Sequence, residues 1–223
     1  MKQPAVMKRL VVLISGGGSN LQTLLDACQR GDINGQVVAV ISNRPDVRGL
    51  IRAEQAGADA LCIDHTEYDS REAFDEQLRQ HIDDYQPDYV ILAGFMRILT
   101  ASFVNHFLGK MVNIHPSLLP KYPGLDTHQR AIDANDSHAG ATVHFVTPEL
   151  DGGPLIMQSS VTLEPSDTAA SLAKRVLATE HQLYPRVVQL LCQDKLKLID
   201  NIAYYDQTPI HVPLQLDHTR TSS

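Results

Sequence analysis

Leu10-Val11-Val12-Leu13-Ile14-Ser15-Gly16-Gly17-Gly18-Ser19-Asn20 decides the fold of this chain. An unbroken apolar run of strand length, without polar alternation, suits a strand covered on both faces. The glycines that follow, and a helical stretch from Leu21 to about Gln29, predict a strand, a tight turn and a helix. Val37 to Ser42, Ala60 to Asp64, Tyr89 to Gly94 and Met111 to His115 read as further strands, with amphipathic segments between them. That alternation predicts a single-domain α/β architecture, Rossmann-like and doubly wound, around a mostly parallel sheet. After Thr127 a helix to about Asn135 is followed by alternating runs at Thr142 to Val146 and Leu155 to Leu163, which predict antiparallel additions in the C-terminal half. Asp167-Thr168 are placed to cap a long helix through roughly Cys192, and Pro185 predicts a kink or break within it. From about Asp206 the sequence is polar and aperiodic, so the domain is drawn at 1–205 and 206–223 is read as a mobile tail.

The chain has 223 residues, enough for one full hydrophobic core, with 43% hydrophobic and 20% charged residues. A net charge of −7 disfavours a broad nucleic-acid surface, so an anionic ligand needs a local pocket. Cys28, Cys62 and Cys192 are far apart and odd in number, which fits buried free thiols in a reducing cytoplasm. Lys8-Arg9 precede an apolar run too short for a membrane span and lacking a signal-peptide cleavage site. No feature defines a self-complementary interface, so a monomer and a weak homodimer fit equally.

The Ser15 to Asn20 loop opens a helix, a setting in which bare amides and the positive helix end hold phosphate. A plain turn, with Ser19 as N-cap and Gln22 completing a capping box, is compatible with that role. The third glycine of a dinucleotide fingerprint is replaced by Leu21, and the second strand ends in Ser42-Asn43-Arg44 without a ribose-binding acid. The loop also lacks the Gly-Lys-Ser/Thr ending of a triphosphate loop, so a phosphate monoester fits best.

Two further stretches carry chemistry: Asn113-Ile114-His115-Pro116-Ser117-Leu118-Leu119-Pro120-Lys121-Tyr122-Pro123-Gly124 and Glu149-Leu150-Asp151-Gly152-Gly153-Pro154. Asn113 and His115 stand two apart on an extended segment and so point the same way. Asp151, in a glycine turn, can fix the imidazole tautomer or stabilise imidazolium. Taken singly, each has a bland explanation as a turn or structural residue; together they form a candidate acyl-transfer site. His138 and His144 lack a metal-ligand pattern and read as structural, and no metal site is expected. Arg97 and Lys121 read as solvated or locally paired, and Asp83-Asp84 as an exposed turn after a helix.

The Asn-x-His-Pro-Ser-Leu-Leu-Pro block, the Gly-Ser-Asn loop, Ala93 to Leu99, Asp151 to Pro154 and Thr179-Glu180-His181 resemble the folate-dependent formyltransferase family, most closely its purine-biosynthesis branch. The resemblance spans nearly the whole chain. It implies the formyltransferase fold, and transfer of a formyl group from 10-formyltetrahydrofolate, a cosubstrate, to the amine of glycinamide ribonucleotide. Asn113, His115 and Asp151 match the family's catalytic trio. By the same resemblance Gly18, Ser19 and Asn20 bind the ribonucleotide phosphate and Glu180 its ribose or glycinamide part. Arg71, Met96, Arg97, Ile98 and Leu99, with the backbone from Val146 to Asp151, form the folate side. The family often carries Asn where Gly17 stands, a departure that leaves a cradle built mainly from backbone. A deformylase, a tRNA formyltransferase and a nucleotide-sensing module are the competing readings. The chain shows no amino-terminal regulatory domain for the first and no carboxyl-terminal domain for the second, and the intact trio gives no reason to prefer the third.

Overall fold

The computed structural model describes residues 6–216. In its first half, β1 (Lys8–Ile14), α1 (Ser19–Arg30), β2 (Gly35–Ser42), α2 (Arg48–Gln55), β3 (Asp59–Cys62), α3 (Arg71–Asp84), β4 (Tyr89–Leu92), α4 (Ala101–His106) and β5 (Met111–His115) alternate strand with helix. Then come α5 (Thr127–Asp133), β6 (His138–Phe145), β7 (Leu155–Thr162), α6 (Ala169–Cys192), β8 (Leu196–Ile199), β9 (Ile202–Tyr205), β10 (Thr208–Pro209) and β11 (Leu214–Gln215). The main sheet runs β11-β7-β6-β5-β4-β1-β2-β3, and β8 to β10 form a small antiparallel sheet. Strands β1 to β5 pair in parallel, whereas β6 is antiparallel to both β5 and β7.

The period-two geometry of β1 explains its unbroken apolar run. Leu10, Val12 and Ile14 pack on the face that α1 and α6 cover, and Val11 and Leu13 pack with Phe74 and Leu78 of α3 and Phe103 of α4. Leu10 to Ile14 are all fully buried. At roughly 2 kcal/mol for each large apolar side chain removed from water, this strand alone is a major source of the driving force. Tyr184, fully buried on α6, donates its hydroxyl to the carbonyls of Leu92 (2.7 Å) and Val112 (3.2 Å), tying the helix to β4 and β5.

Helix α6 runs unbroken through Pro185 for 24 residues. Buried Leu183, Tyr184, Val187 and Val188 flank the proline, so tertiary packing holds the helix across the missing backbone donor, and the predicted break does not occur. Thr168 caps it as expected, with Ser171 completing the reciprocal box. At α1 the expectation differs: Gly18, in the left-handed region (φ 70°), is the N-cap, Ser19 is the first helical residue, and Gln22 binds Asp26 and Arg52 instead. The polar segment from Asp206 carries β10, paired with β9, and β11, paired in parallel with β7; residues 217–223 lie outside the described residues. Asp83 and Asp84 belong to α3, with Asp83 bonded to Arg79 and His106. Of the three free cysteines Cys192 is buried, Cys28 half-buried and Cys62 exposed, so burial of all three thiols does not hold.

The strand order reverses beside β1, which lies between β2 and β4. Ligands of open α/β sheets gather at the carboxyl ends of strands at such a switch point. Here the loops after β1 and β4 are tied together: Ser15 N–H donates to Gly94 O (3.1 Å) and Met96 N–H to Ser15 Oγ (2.7 Å).

Candidate active site

Strand β5 carries Asn113 and His115 on one face, as the alternation requires. Antiparallel pairing sets His144 opposite Asn113 and Thr142 opposite His115. The chain then turns between β6 and β7, and this turn holds Asp151 in the left-handed region (φ 50°). Gly153 makes the turn possible: a Cβ there would lie 1.9 Å from the Phe145 carbonyl oxygen.

The three predicted residues converge. His115 Nδ1 faces Asp151 Oδ2 at 3.5 Å, and both side chains are nearly buried. His115 Nε2 stands 2.9 Å from the Tyr122 carbonyl, which only accepts, so the Nε2 proton is fixed there. The second Asp151 contact is the Gly124 N–H, donated to Oδ2 at 2.9 Å. Tyr122 itself has φ 57°, a left-handed position of order 1–2 kcal/mol above the ordinary region for a side chain of this size.

His144, read from sequence as structural, belongs to this cluster. Its Nδ1 donates to the Phe145 carbonyl (2.9 Å), leaving Nε2 as an acceptor 3.4 Å from the Asn113 amide nitrogen. Burial pushes the imidazole pKa down, so the neutral form prevails. Nε2 also lies 3.9 Å from Asp151 Oδ1. The register of β5 against β6 was the signal that would have found it.

Asn113, His144 and Asp151 reach a cleft that is partly open to solvent. Leu92, Phe95, Arg97, Ile98 and Leu99 line it together with Val146 to Leu150. Leu92, Phe95, Ile98, Leu99, Val104, Val146, Pro148 and Leu150 give its walls an apolar part, beside the polar Arg97, Asn113, His144, Thr147, Glu149 and Asp151. Among the residues expected on the folate side, Arg97, Ile98, Leu99, Val146 and Asp151 line it. Met96 and Arg71 are exposed and do not; Arg71 is the first residue of α3. The Arg97 guanidinium sits over the Phe74 ring, 4.7 Å from its centre, and Lys121 pairs with Asp136.

Across the switch point, Asn20 Nδ2 donates to Glu180 Oε2 at 2.7 Å, joining α1 to α6 beneath the glycine loop. Burial pushes the Glu180 carboxyl pKa up, against the lowering effect of the Asn20 bond. Asn20 Oδ1 is buried without a partner among the described residues. Of the residues named for the acceptor side, Asn20 and Glu180 are thus in direct contact, and Gly18 and Ser19 lead into Asn20 at the start of α1. No group of metal-ligating side chains occurs among the described residues, and none of their helices is long and apolar enough to cross a membrane.

Residues 8–188, which span the mixed sheet from β1 into α6, match the formyl transferase family model; the chain belongs to that family. Within it, the chain is 50% identical over 197 residues to phosphoribosylglycinamide formyltransferase of Escherichia coli, covering 88% of this chain and 93% of that protein. It is 42% identical over 193 residues to the human trifunctional purine biosynthetic protein adenosine-3, covering 86% of this chain and 19% of that one. The solved phosphoribosylglycinamide formyltransferase of Coxiella burnetii superposes with a TM-score of 0.90 at 45% identity, over 94% of this chain and 99% of that one.

Proposed function

We propose that this chain transfers the formyl group of 10-formyltetrahydrofolate to the amine of glycinamide ribonucleotide, releasing formylglycinamide ribonucleotide and tetrahydrofolate, and that Asn113, His115 and Asp151 carry the reaction. The observation that supports it most directly is the convergence of those three side chains at the end of β5, where Asn113 and Asp151 also line an open cleft.

The amine nitrogen attacks the formyl carbon, and the carbonyl electrons move onto oxygen. Asn113 has one amide hydrogen directed at His144 and a second free for that oxyanion. His115, anchored through Nε2, offers a proton on Nδ1, while the Asp151 carboxylate beside it balances the positive charge on the ring. Collapse breaks the bond from the formyl carbon to the folate nitrogen, and the amine proton passes to that nitrogen. Asp151, held by the Gly124 amide, is placed to organise the carrier. The glycine loop and the start of α1 hold the ribonucleotide phosphate, and Glu180 receives its ribose or glycinamide part. Catalysis belongs to residues 1–205, and three free cysteines support a cytoplasmic setting.

Acceptor dependence tests this reading. Tetrahydrofolate should be released only when glycinamide ribonucleotide is present and is formylated in equal amount. Release without acceptor would instead make the protein a deformylase.

A further inference from the structure

We propose that Arg52 is a positioning residue for the phosphate loop: from α2 it fixes the Gly17 carbonyl, so that the loop amides face the phosphate of the acceptor substrate. The inference rests on the phosphate role given to the loop above.

Arg52 Nε donates to Gly17 O at 2.9 Å, and Nη1 donates to Gln22 Oε1 on α1 at 2.6 Å. Gln22 is itself held, its Nε2 donating to Asp26 Oδ1 at 2.8 Å. One turn earlier on α2, Gly49 N–H donates to Gly16 O at 3.2 Å. Two successive carbonyls of the loop are thus engaged from the same helix.

The C=O and N–H of a trans peptide point in opposite directions. Fixing the Gly16 and Gly17 carbonyls toward α2 therefore turns the N–H groups of Gly17 and Gly18 to the opposite side, where an anion at the start of α1 sits. Close packing enforces the arrangement. A Cβ on Gly49 would meet Ile14 Cδ1 at 2.2 Å and Gly16 O at 2.9 Å, and one on Gly18 would lie 3.0 Å from Gly49 Cα and 3.5 Å from Arg52 Cδ.

Arginine is needed because its planar fork reaches two acceptors on different elements at once, which a lysine ammonium on a flexible stem does not reproduce. Both acceptors are neutral, so neither cancels the guanidinium charge next to the loop. That charge adds attraction for a phosphate dianion.

The test compares parent, Arg52→Met, Arg52→Lys and Gln22→Leu on glycinamide ribonucleotide and on the same acceptor without its phosphate, with inorganic phosphate as competitive inhibitor. Arg52→Met should raise the ribonucleotide KM and the phosphate inhibition constant about tenfold, the typical loss for one hydrogen bond to a charged group. Its kcat, its KM for formyl-folate and its rate on the dephosphorylated acceptor should stay within about twofold of parent by the same reasoning. Arg52→Lys should recover only part of the loss, and Gln22→Leu, which leaves Arg52 in place, should shift the same ratio by less. If Arg52→Met prefers the phosphorylated acceptor as strongly as parent does, the inference is overturned and the phosphate role stands. Equal weakening toward both acceptors would show a merely structural arginine and also overturn it. If parent itself does not distinguish the two acceptors, the phosphate role falls and takes the inference with it.

Discussion

His144 lies opposite Asn113 across the β5–β6 pairing, with its Nε2 3.4 Å from the Asn113 amide nitrogen and its Nδ1 committed to the Phe145 carbonyl. A buried neutral imidazole therefore sets the orientation of the carboxamide. His144→Leu should lower turnover about tenfold, the loss of one hydrogen bond to a reacting group, with substrate KM values little changed. Protonation of His144 would turn Nε2 from acceptor into donor, so turnover should also fall on the acid side. Because burial lowers its pKa below the ordinary 6.5, that loss should come at pH values below 6.5. Stability follows the same sign: the unfolded chain takes up the proton first, so this histidine costs stability as pH falls through 6.5. Steady-state turnover against pH, for parent and variant, checks the two kinetic statements, and urea unfolding across the same pH range checks the stability one.

Asp151→Asn keeps the shape that accepts the Gly124 amide but removes the charge facing His115 Nδ1. Turnover should drop on the order of a hundredfold, with the melting temperature close to parent, because the variant forfeits transition-state charge balance rather than packing. A stopped assay of formylated product, alongside calorimetry, separates the two effects.

Glu180 gives a pH-dependent stability of the opposite sense. Its folded pKa is raised above the ordinary 4.5 by burial, so in the window above 4.5 the native state keeps a proton that the unfolded chain has lost. Stability should fall as pH rises through that window. Glu180→Gln removes the ionisation while retaining an acceptor for Asn20, so the advantage of the variant over parent should grow from pH 4.5 upward and then level off. Urea unfolding across pH measures it.

Gly153→Ala tests the frame around Asp151. With the Phe145 carbonyl oxygen 1.9 Å from the new methyl, the turn must shift, at a cost of about 2 kcal/mol in stability and a loss of turnover as Asp151 moves. Gly17→Ala, where a Cβ meets nothing within 4 Å, is the contrasting control for unfolding measurements.

The sheet was legible because its strands are apolar runs of strand length separated by helical periods, and Met111 to His115 matches β5 to the residue. The cap at Thr168 was legible because its signal is local. Most of what escaped the sequence depended on contacts between distant segments, and one feature, the cap of α1, on a local backbone conformation. Pro185 breaks no helix because the residues beside it are buried in the core. Ser19 loses the cap because left-handed Gly18 already ends the turn. His144 entered the site through a cross-strand register, and Arg52 through a helix that carries no motif. Asn113, His115 and Asp151 stood out because rigid Pro and Gly frames announced them.

The central claim is tested most directly by following formylglycinamide ribonucleotide by mass, made from 10-formyltetrahydrofolate and glycinamide ribonucleotide by parent, Asn113→Ala and His115→Ala, with folding verified for each. Parent should form the product, and each variant should do so on the order of a hundred- to a thousand-fold more slowly. Near-parent turnover by a folded His115→Ala or Asn113→Ala protein would contradict the account.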